Sequence, residues 1–79
     1  MHLMHPPAEV RVFSQSAGLI DGVPVTAPLY VDIQEVIIAI LQQRAQQMGG
    51  PALVTISDDR YGGTIRLLIH PDGTTEPVD

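Results

Sequence analysis

The 79-residue sequence predicts a single small α+β domain, with one helix packed on a four- to five-stranded, mostly antiparallel sheet. One segment has helical periodicity and is marked at both ends. Several shorter segments alternate between apolar and polar residues, and the turns that join them are short. The predicted order is β-β-α-β-β-β. Residues 1–8 lack any period and end just after Pro-Pro, which predicts a flexible N-terminal arm before a domain over residues 9–79.

The N-terminal part of the domain predicts two strands joined by a hairpin turn. The segment 9–20 is rich in β-branched residues and predicts one strand with a kink at Gly18. Asp21 and Gly22 then separate two apolar runs, which predicts a hairpin because a type I′ turn needs positive φ at both central residues. Pro24 cannot donate a ladder hydrogen bond, so the next strand is predicted to lie at an edge.

The helix is predicted over residues 33–48. Asp32 is a preferred N-cap residue, and Glu35 stands three positions later, as in a capping box. Gly49 can adopt the left-handed conformation that ends helices, and Pro51 prevents continuation.

The C-terminal half predicts three further strands. Residues 52–57 and 64–70 alternate at period two, and the polar loop 58–63 joins them. The sequence Pro-Asp-Gly at 71–73 suits a type I turn with glycine at the bulge position, followed by a short last strand over 74–78.

The predicted helix has an apolar arc of roughly 200°, wider than the roughly 100° that a half-buried helix needs. The whole arc could lie in one core, with long glutamines shielding its margins. We favour the alternative, in which Ile33, Ile37 and Ile40 face the sheet and a second flank is free for a partner. The sheet likewise has a second face that one helix cannot cover. The candidate interface residues are Ile38, Leu41, Arg44, Ala45 and Met48 on the helix, Leu53 and Leu68 on the second sheet face, and Arg60 and Tyr61 in the polar loop.

Composition excludes several classes of function. The chain has no cysteine and therefore no disulfide or thiolate site, so stability must come from packing or oligomerisation. A net charge of −5 with four scattered arginines and no lysine argues against binding to nucleic acid or to anionic membranes. The longest apolar run, 36–41, is too short to span a bilayer, and no signal peptide is recognisable. The cytoplasm is the expected compartment.

Chemical motifs are sparse. His2 and His5, with His70, could hold copper(I), but an arm without predicted structure more often lies in solvent. Asp58 and Asp59 are adjacent carboxylates, both expected to be exposed, without the spaced ligands that calcium requires. No nucleophile elbow or metalloprotease motif is present, so no catalytic residue, metal or cofactor is predicted.

The sequence therefore predicts a non-catalytic protein-interaction or oligomerisation module that associates first with itself, as a dimer. One alternative is a carrier or sensor with an apolar pocket between helix and sheet, which needs a cavity of about 300 Å³ or more. Another is an acidic inhibitor of the antitoxin or immunity type, which would bind a basic protein.

Overall fold

The structure, a computed structural model, describes residues 7–78 and contains one helix and one six-stranded sheet. The α+β class is confirmed, with six strands rather than the four to five predicted. Residues 1–6 of the predicted arm, including His2 and His5, lie outside the described residues, as does Asp79. The elements in chain order are β1 (Ala8–Val12), β2 (Ala17–Ile20), β3 (Val23–Thr26), α1 (Ile33–Met48), β4 (Ala52–Asp58), β5 (Gly63–Ile69) and β6 (Thr75–Val78).

The sheet has the strand order β3-β2-β1-β4-β5-β6. Each pair of neighbours is antiparallel except β1 and β4, which run parallel with Val10 opposite Ile56. The parallel pair lies at the centre, and α1 supplies part of the long connection that such a pair requires. The mostly antiparallel sheet of the sequence prediction is therefore confirmed.

The predicted strand over 9–20 is in fact two strands, β1 and β2, joined by a tight turn. The backbone N–H groups of Phe13 and Ser14 both donate to the carbonyl of Ala17, at 3.0 and 3.2 Å. The Ser14 hydroxyl accepts from the Ser16 N–H at 3.2 Å, so a serine side chain closes a turn that has neither proline nor glycine at its corner. Ala8, assigned by sequence to the arm, is a buried residue of β1.

The helix begins and ends where the sequence predicts. The Asp32 carboxylate accepts from the Gln34 N–H at 2.9 Å, which satisfies one of the free donors of the first turn. Gly49 has a φ of 76°, and its N–H donates to the Ala45 carbonyl at 2.9 Å.

The core lies between α1 and one face of the sheet, and only a narrow stripe of the helix enters it. The prediction for Leu41 and Ala45 is wrong: both are fully buried rather than available to a partner, whereas Ile40 is 37% exposed. Residues spaced by four positions advance by 40°, so the buried stripe spans about 120°. It consists of Ile33, Ile37, Leu41 and Ala45.

Gly18 is required where β1, β2 and the helix meet. A Cβ at this position would lie 2.7 Å from the Arg11 carbonyl oxygen and 3.6 Å from side-chain atoms of Ile33 and Ile37. We expect Gly18→Ala to lower the free energy of unfolding by about 1–3 kcal/mol, because the β1 backbone must move. Gly63→Ala, whose Cβ would meet nothing within 4 Å, is the control in the same urea titration. An equal loss in both variants would contradict this account.

The edge strand β3 exposes a proline nitrogen. Hydrogen-bonded and non-hydrogen-bonded pairs alternate in an antiparallel ladder. The Ala27 N–H donates to the Ser16 carbonyl at 2.9 Å, one position beyond the Ala17–Thr26 pair. Pro24 therefore falls in a non-hydrogen-bonded pair, and its nitrogen faces the open side.

The opposite edge strand, β6, also has a proline whose nitrogen faces the open side. The His70 N–H donates to the Thr74 carbonyl at 2.9 Å, so alternation places Pro77 in a non-hydrogen-bonded pair with its nitrogen outward. Each edge thus lacks an N–H that a further strand would need. This argues against association by strand addition.

Candidate interaction site

Three connections of the fold meet at one end of the sheet. The parallel strands β1 and β4 both end there, β2 and β5 begin there, and β3 leads from there into the helix. We call this the loop end and define it as residues 13–16, 27–32 and 59–62.

Backbone hydrogen bonds tie the three connections together. The Ile33 N–H donates to the Gln15 carbonyl at 2.8 Å, which joins the β1–β2 turn to the helix start. The Asp59 N–H donates to the Val12 carbonyl at 2.8 Å, which joins the β4–β5 loop to β1. The loop end is consequently an ordered surface.

The side chain of Arg60 lies between two carboxylates and joins two connections of the loop end. Arg60 donates to both carboxylate oxygens of Asp58, at 3.0 Å from Nε and 2.9 Å from Nη2, and to Asp32 at 2.8 Å from Nη1. Gln34 adds a hydrogen bond to Asp58 at 3.1 Å. Asp58 is buried, contrary to the exposure expected from the sequence, because it is the last inward-facing residue of β4. The network fixes the β4–β5 loop to the helix N-terminus.

This network also shifts the acidities of its members. Hydrogen bonds from Arg60 hold the pKa of Asp58 below its ordinary value. The pKa of Asp32 is lowered in the same way, first by Arg60 and then by the Gln34 N–H at the helix start. The two carboxylates raise the pKa of Arg60 above its ordinary value. All three side chains are therefore charged at neutral pH and act as an ion-paired cluster rather than as acid–base groups.

All three aromatic residues of the chain lie at the loop end, and none lies in the core. Phe13 is half exposed and its ring lies 5.4 Å from the Arg11 guanidinium carbon. Tyr61 is 79% exposed with the Arg60 guanidinium carbon 5.1 Å from its ring centre. Exposed aromatic groups beside arginines are typical of protein-interaction surfaces.

The third aromatic residue, Tyr30, belongs to a strained turn. The Val31 N–H donates to the Pro28 carbonyl at 3.1 Å, and Tyr30 at the third turn position has a φ of 68°. This geometry corresponds to a type II turn, which normally has glycine or asparagine at that position. Leu29 and Tyr30, which we call the tip, are 80% and 93% exposed. A strained backbone here presents two large side chains to solvent.

The strain at Tyr30 can be measured. We expect Tyr30→Gly to raise the free energy of unfolding by about 0.5–1 kcal/mol, because glycine adopts positive φ without the steric cost that a Cβ brings. Tyr30→Ala is the matched control, since it removes the ring and keeps the Cβ. Thermal unfolding of both variants distinguishes them, and equal stabilities would show that the turn is unstrained.

A cleft lies beside the tip. It has a volume of about 320 Å³, is open to solvent, and is lined by Gln15, Ser16 and residues 27–31. None of these residues is charged. Leu29 and Tyr30 belong to this lining, so the tip forms part of the wall of the cleft.

The other candidate interface residues are dispersed. Ile38 is partly buried and packs against the edge of the core, and Met48 is exposed near the helix end. Arg44 binds Asp21 at 2.9 Å, at the end of the sheet opposite the loop end. Leu53 and Leu68 are half-buried cross-strand partners on the second sheet face.

Of the candidates, only Arg60 and Tyr61 belong to the loop end, and Arg60 is engaged by carboxylates. Sequence reasoning did not select Leu29 and Tyr30. Their one sequence signal is two large apolar residues between Pro28 and a helix N-cap, where turns are usually polar.

The space between helix and sheet is small. The cavity lined by Ile37, Ile38, Ile65 and their neighbours has a volume of about 30 Å³. Within residues 7–78, no three or more His, Asp or Glu side chains are grouped to hold a metal ion. The helix of this part of the chain is not long and apolar enough to cross a membrane. Comparisons with models of protein families, with curated proteins and with solved structures find no match to this chain.

Proposed function

We propose that this protein is a non-catalytic interaction module whose contact surface is the loop end. The exposure of the tip supports the proposal. Two large side chains stand 80% and 93% in solvent on a strained turn, in a domain that leaves its aromatic residues outside the core. Leucine and tyrosine at such a position gain free energy when a partner covers them.

The strain itself favours a role in contact. A glycine at position 30 would relieve the positive φ, so stability alone does not account for tyrosine there. Strained residues that face solvent are typical of binding sites, where a cost in stability is offset by recognition.

The carrier alternative receives little support from the geometry. A ligand between helix and sheet needs a cavity of about 300 Å³ or more, and the space there is about ten times smaller. Two larger hollows among the described residues, of about 320 and 450 Å³, are open surface depressions.

The alternative of an acidic inhibitor needs a face of available carboxylates. Four of the nine carboxylates of the chain are instead paired with arginines, at 2.8 to 3.2 Å. These pairs are Asp21–Arg44, Asp32–Arg60, Asp58–Arg60 and Asp59–Arg11. The uncharged tip is better suited to an apolar contact than to attraction of a basic surface.

Site-specific photocrosslinking in cells that naturally make the protein tests the proposal. A photoreactive phenylalanine analogue replaces Tyr30 in the full chain, and the control carries it at Gln47, an exposed position on the helix. We expect discrete covalent adducts from position 30 and only weak, diffuse labelling from position 47. Equal labelling at both positions would contradict the loop end as a contact surface. Fractionation of the same cells checks the cytoplasmic compartment that we propose.

A further inference from the structure

We infer that the second sheet face, the one that α1 does not cover, packs on the same face of a second copy of this chain. In this two-fold dimer, Arg66 of each copy enters a hollow beside Glu9 of the other copy. The inference goes beyond the proposed function, because it concerns a surface distinct from the loop end and names the partner.

The second sheet face carries one unpaired charge of each sign. Glu9 on β1 and Arg66 on β5 are both exposed, and among residues 7–78 neither has an ion-pair partner. The other charged side chains of this face pair within the chain. These pairs are Arg11–Asp59 at 3.2 Å and His70–Glu76 at 2.8 Å. A second copy therefore offers each unpaired group the opposite charge that it lacks.

The register of the strands places these two groups symmetrically. Thr55 of β4 lies opposite Glu9 on one side and opposite Arg66 on the other. A two-fold axis that runs parallel to β4 above Thr55 therefore sets Glu9 of one copy against Arg66 of the other, twice. Stacked sheets lie about 10 Å apart, a gap that an arginine and a glutamate side chain can fill together.

A hollow lies where the arginine of the second copy would enter. It has a volume of about 450 Å³, is open to solvent, and is lined by residues of β1 together with Leu19, Ser57 and Asp59. Glu9 belongs to this lining, whereas Arg66 does not and lies two strands away on β5. The protruding group and the hollow are thus separate, and each copy supplies both.

The charges also select the direction of the axis. A two-fold axis perpendicular to the strands, along the row of Thr55, would set Arg66 against Arg66 and Glu9 against Glu9. Like charges that face each other directly are destabilising. Joining of sheet edges is disfavoured by Pro24 and Pro77, so face-to-face packing with the axis along the strands remains.

Hydroxyl groups surround the proposed ion pairs. Thr55, Ser57 and Thr64 lie on the same face, and the Ser57 and Thr64 hydroxyl oxygens are 3.3 Å apart. An ion pair that loses water stabilises an interface only when further hydrogen bonds satisfy its charged atoms. These hydroxyls can donate to the carboxylate of Glu9 and accept from the guanidinium of Arg66.

The area of the face sets the expected affinity. Six strands about 4.8 Å apart, with four to seven residues each, give a face of about 500 Å² in projection. Side chains that stand on the face enlarge its accessible area toward the roughly 800 Å² per partner of a standard interface. Leu19, Leu53 and Leu68 are half-buried there and supply apolar contacts. We expect a dissociation constant on the order of 10–100 μM.

Sedimentation of the purified full chain over a dilution series, at about 0.15 M salt, is the first test. We expect the molar mass to rise from 8.5 kDa toward twice that value with concentration. Glu9→Arg and Arg66→Glu are each expected to raise the dissociation constant at least about 10-fold, because either change sets like charges together at both ends of the row. Both positions are exposed, so both variants should fold, which circular dichroism checks.

Glu35→Arg is the matched control for Glu9→Arg. It changes the net charge by the same amount at an exposed position of the helix, away from the second sheet face. We expect it to leave the dimer intact. A native chain that stays monomeric up to about 1 mM, or a Glu9→Arg dimer as stable as that of the control, overturns the inference.

Mixing the two charge-reversed chains tests the pairing itself. In a dimer of one Glu9→Arg chain and one Arg66→Glu chain, arginine faces glutamate at both contacts. We therefore expect the equimolar mixture to dimerise with an affinity close to that of the native chain, although each variant alone is largely monomeric. A mixture that stays as monomeric as its components overturns the face-to-face arrangement.

This inference and the proposed function can fail separately, because position 30 lies at the loop end and not on the second sheet face. If position 30 crosslinks in cells while the purified chain stays monomeric, the interaction module stands and the dimer is rejected. If mixing restores the dimer while position 30 yields no adduct above its control, the dimer stands and the loop end is rejected.

Discussion

Replacing Leu41 by alanine is expected to lower the free energy of unfolding by about 2–5 kcal/mol. Leu41 is fully buried between the helix and the sheet, so its loss removes apolar contacts and leaves a cavity. A 79-residue domain has a total stability of about 4–12 kcal/mol, so this substitution alone can unfold much of the population. Denaturant titration followed by far-ultraviolet circular dichroism measures the loss.

Ile40→Ala is the matched control for Leu41→Ala. The two residues are neighbours on the same helix, and alanine favours helix at either position. Ile40 is 37% exposed, so we expect its truncation to cost clearly less than that of Leu41. If the two losses were equal, or if Ile40 were the costlier site, the rotation of the helix against the sheet would be wrong.

Acidification is expected to unfold the domain as the pH falls below about 4. Four carboxyl groups have a lowered pKa in the folded state, so each binds a proton more weakly there than in the unfolded chain. Their stabilising contribution is fully present above the unfolded pKa and is lost as the pH falls through the lowered folded value. They are Asp21, held first by the Glu9 N–H, Asp32 and Asp58, held first by Arg60, and Asp72, held first by Thr74.

Asp58→Asn isolates the buried member of this set. The amide cannot ionise and pairs poorly with the Arg60 guanidinium, so we expect lower stability at pH 7 and a shallower loss of stability on acidification. Asp59→Asn is the control, because Asp59 forms an exposed ion pair with Arg11 at 3.2 Å, which salt and solvent screen. Unfolding free energies between pH 7 and 3 compare the variants. Parallel curves for Asp58→Asn and the native chain would contradict the role of the cluster.

The parts of the fold that could be predicted from sequence are those that local chemistry determines. Asp32 and Gly49 mark the helix because capping depends on groups within one turn of the chain. Asp21 and Gly22 mark the hairpin because their positive φ values, 49° and 81°, are required by the turn itself. The β1–β2 turn was missed because a serine hydroxyl, a weaker turn former, closes it.

The orientation of the helix could not be predicted because it depends on residues far apart in the chain. The apolar arc holds more residues than the sheet can cover, and periodicity does not say which part faces inward. The packing of α1 against β4 and its neighbours buries Leu41 and Ala45 and leaves Ile40 partly exposed. Sequence spacing alone predicts Ile40 in the core.

The candidate site was only partly predictable for a related reason. Tyr61 was selected from its loop, but the proximity of that loop to residues 27–32 follows from the parallel pairing of β1 and β4. Neither local pattern nor composition reports a pairing between strands so distant in sequence. The exposure of Tyr30 follows from a turn geometry that tyrosine seldom adopts, so propensity argued against it.

The two edge prolines also determine what kind of assembly is open to this protein. Copies of an open sheet can join edge to edge, with the first strand of one copy paired to the last strand of the next. Where such a head-to-tail contact does not close into a ring, it generates a filament. Pro24 and Pro77 each remove an N–H donor from one of the two edge strands that would form this contact. Growth of an assembly by pairing of sheet edges is thereby disfavoured. A high local concentration of the chain, as during its synthesis, should therefore carry a low risk of fibre formation through these edges.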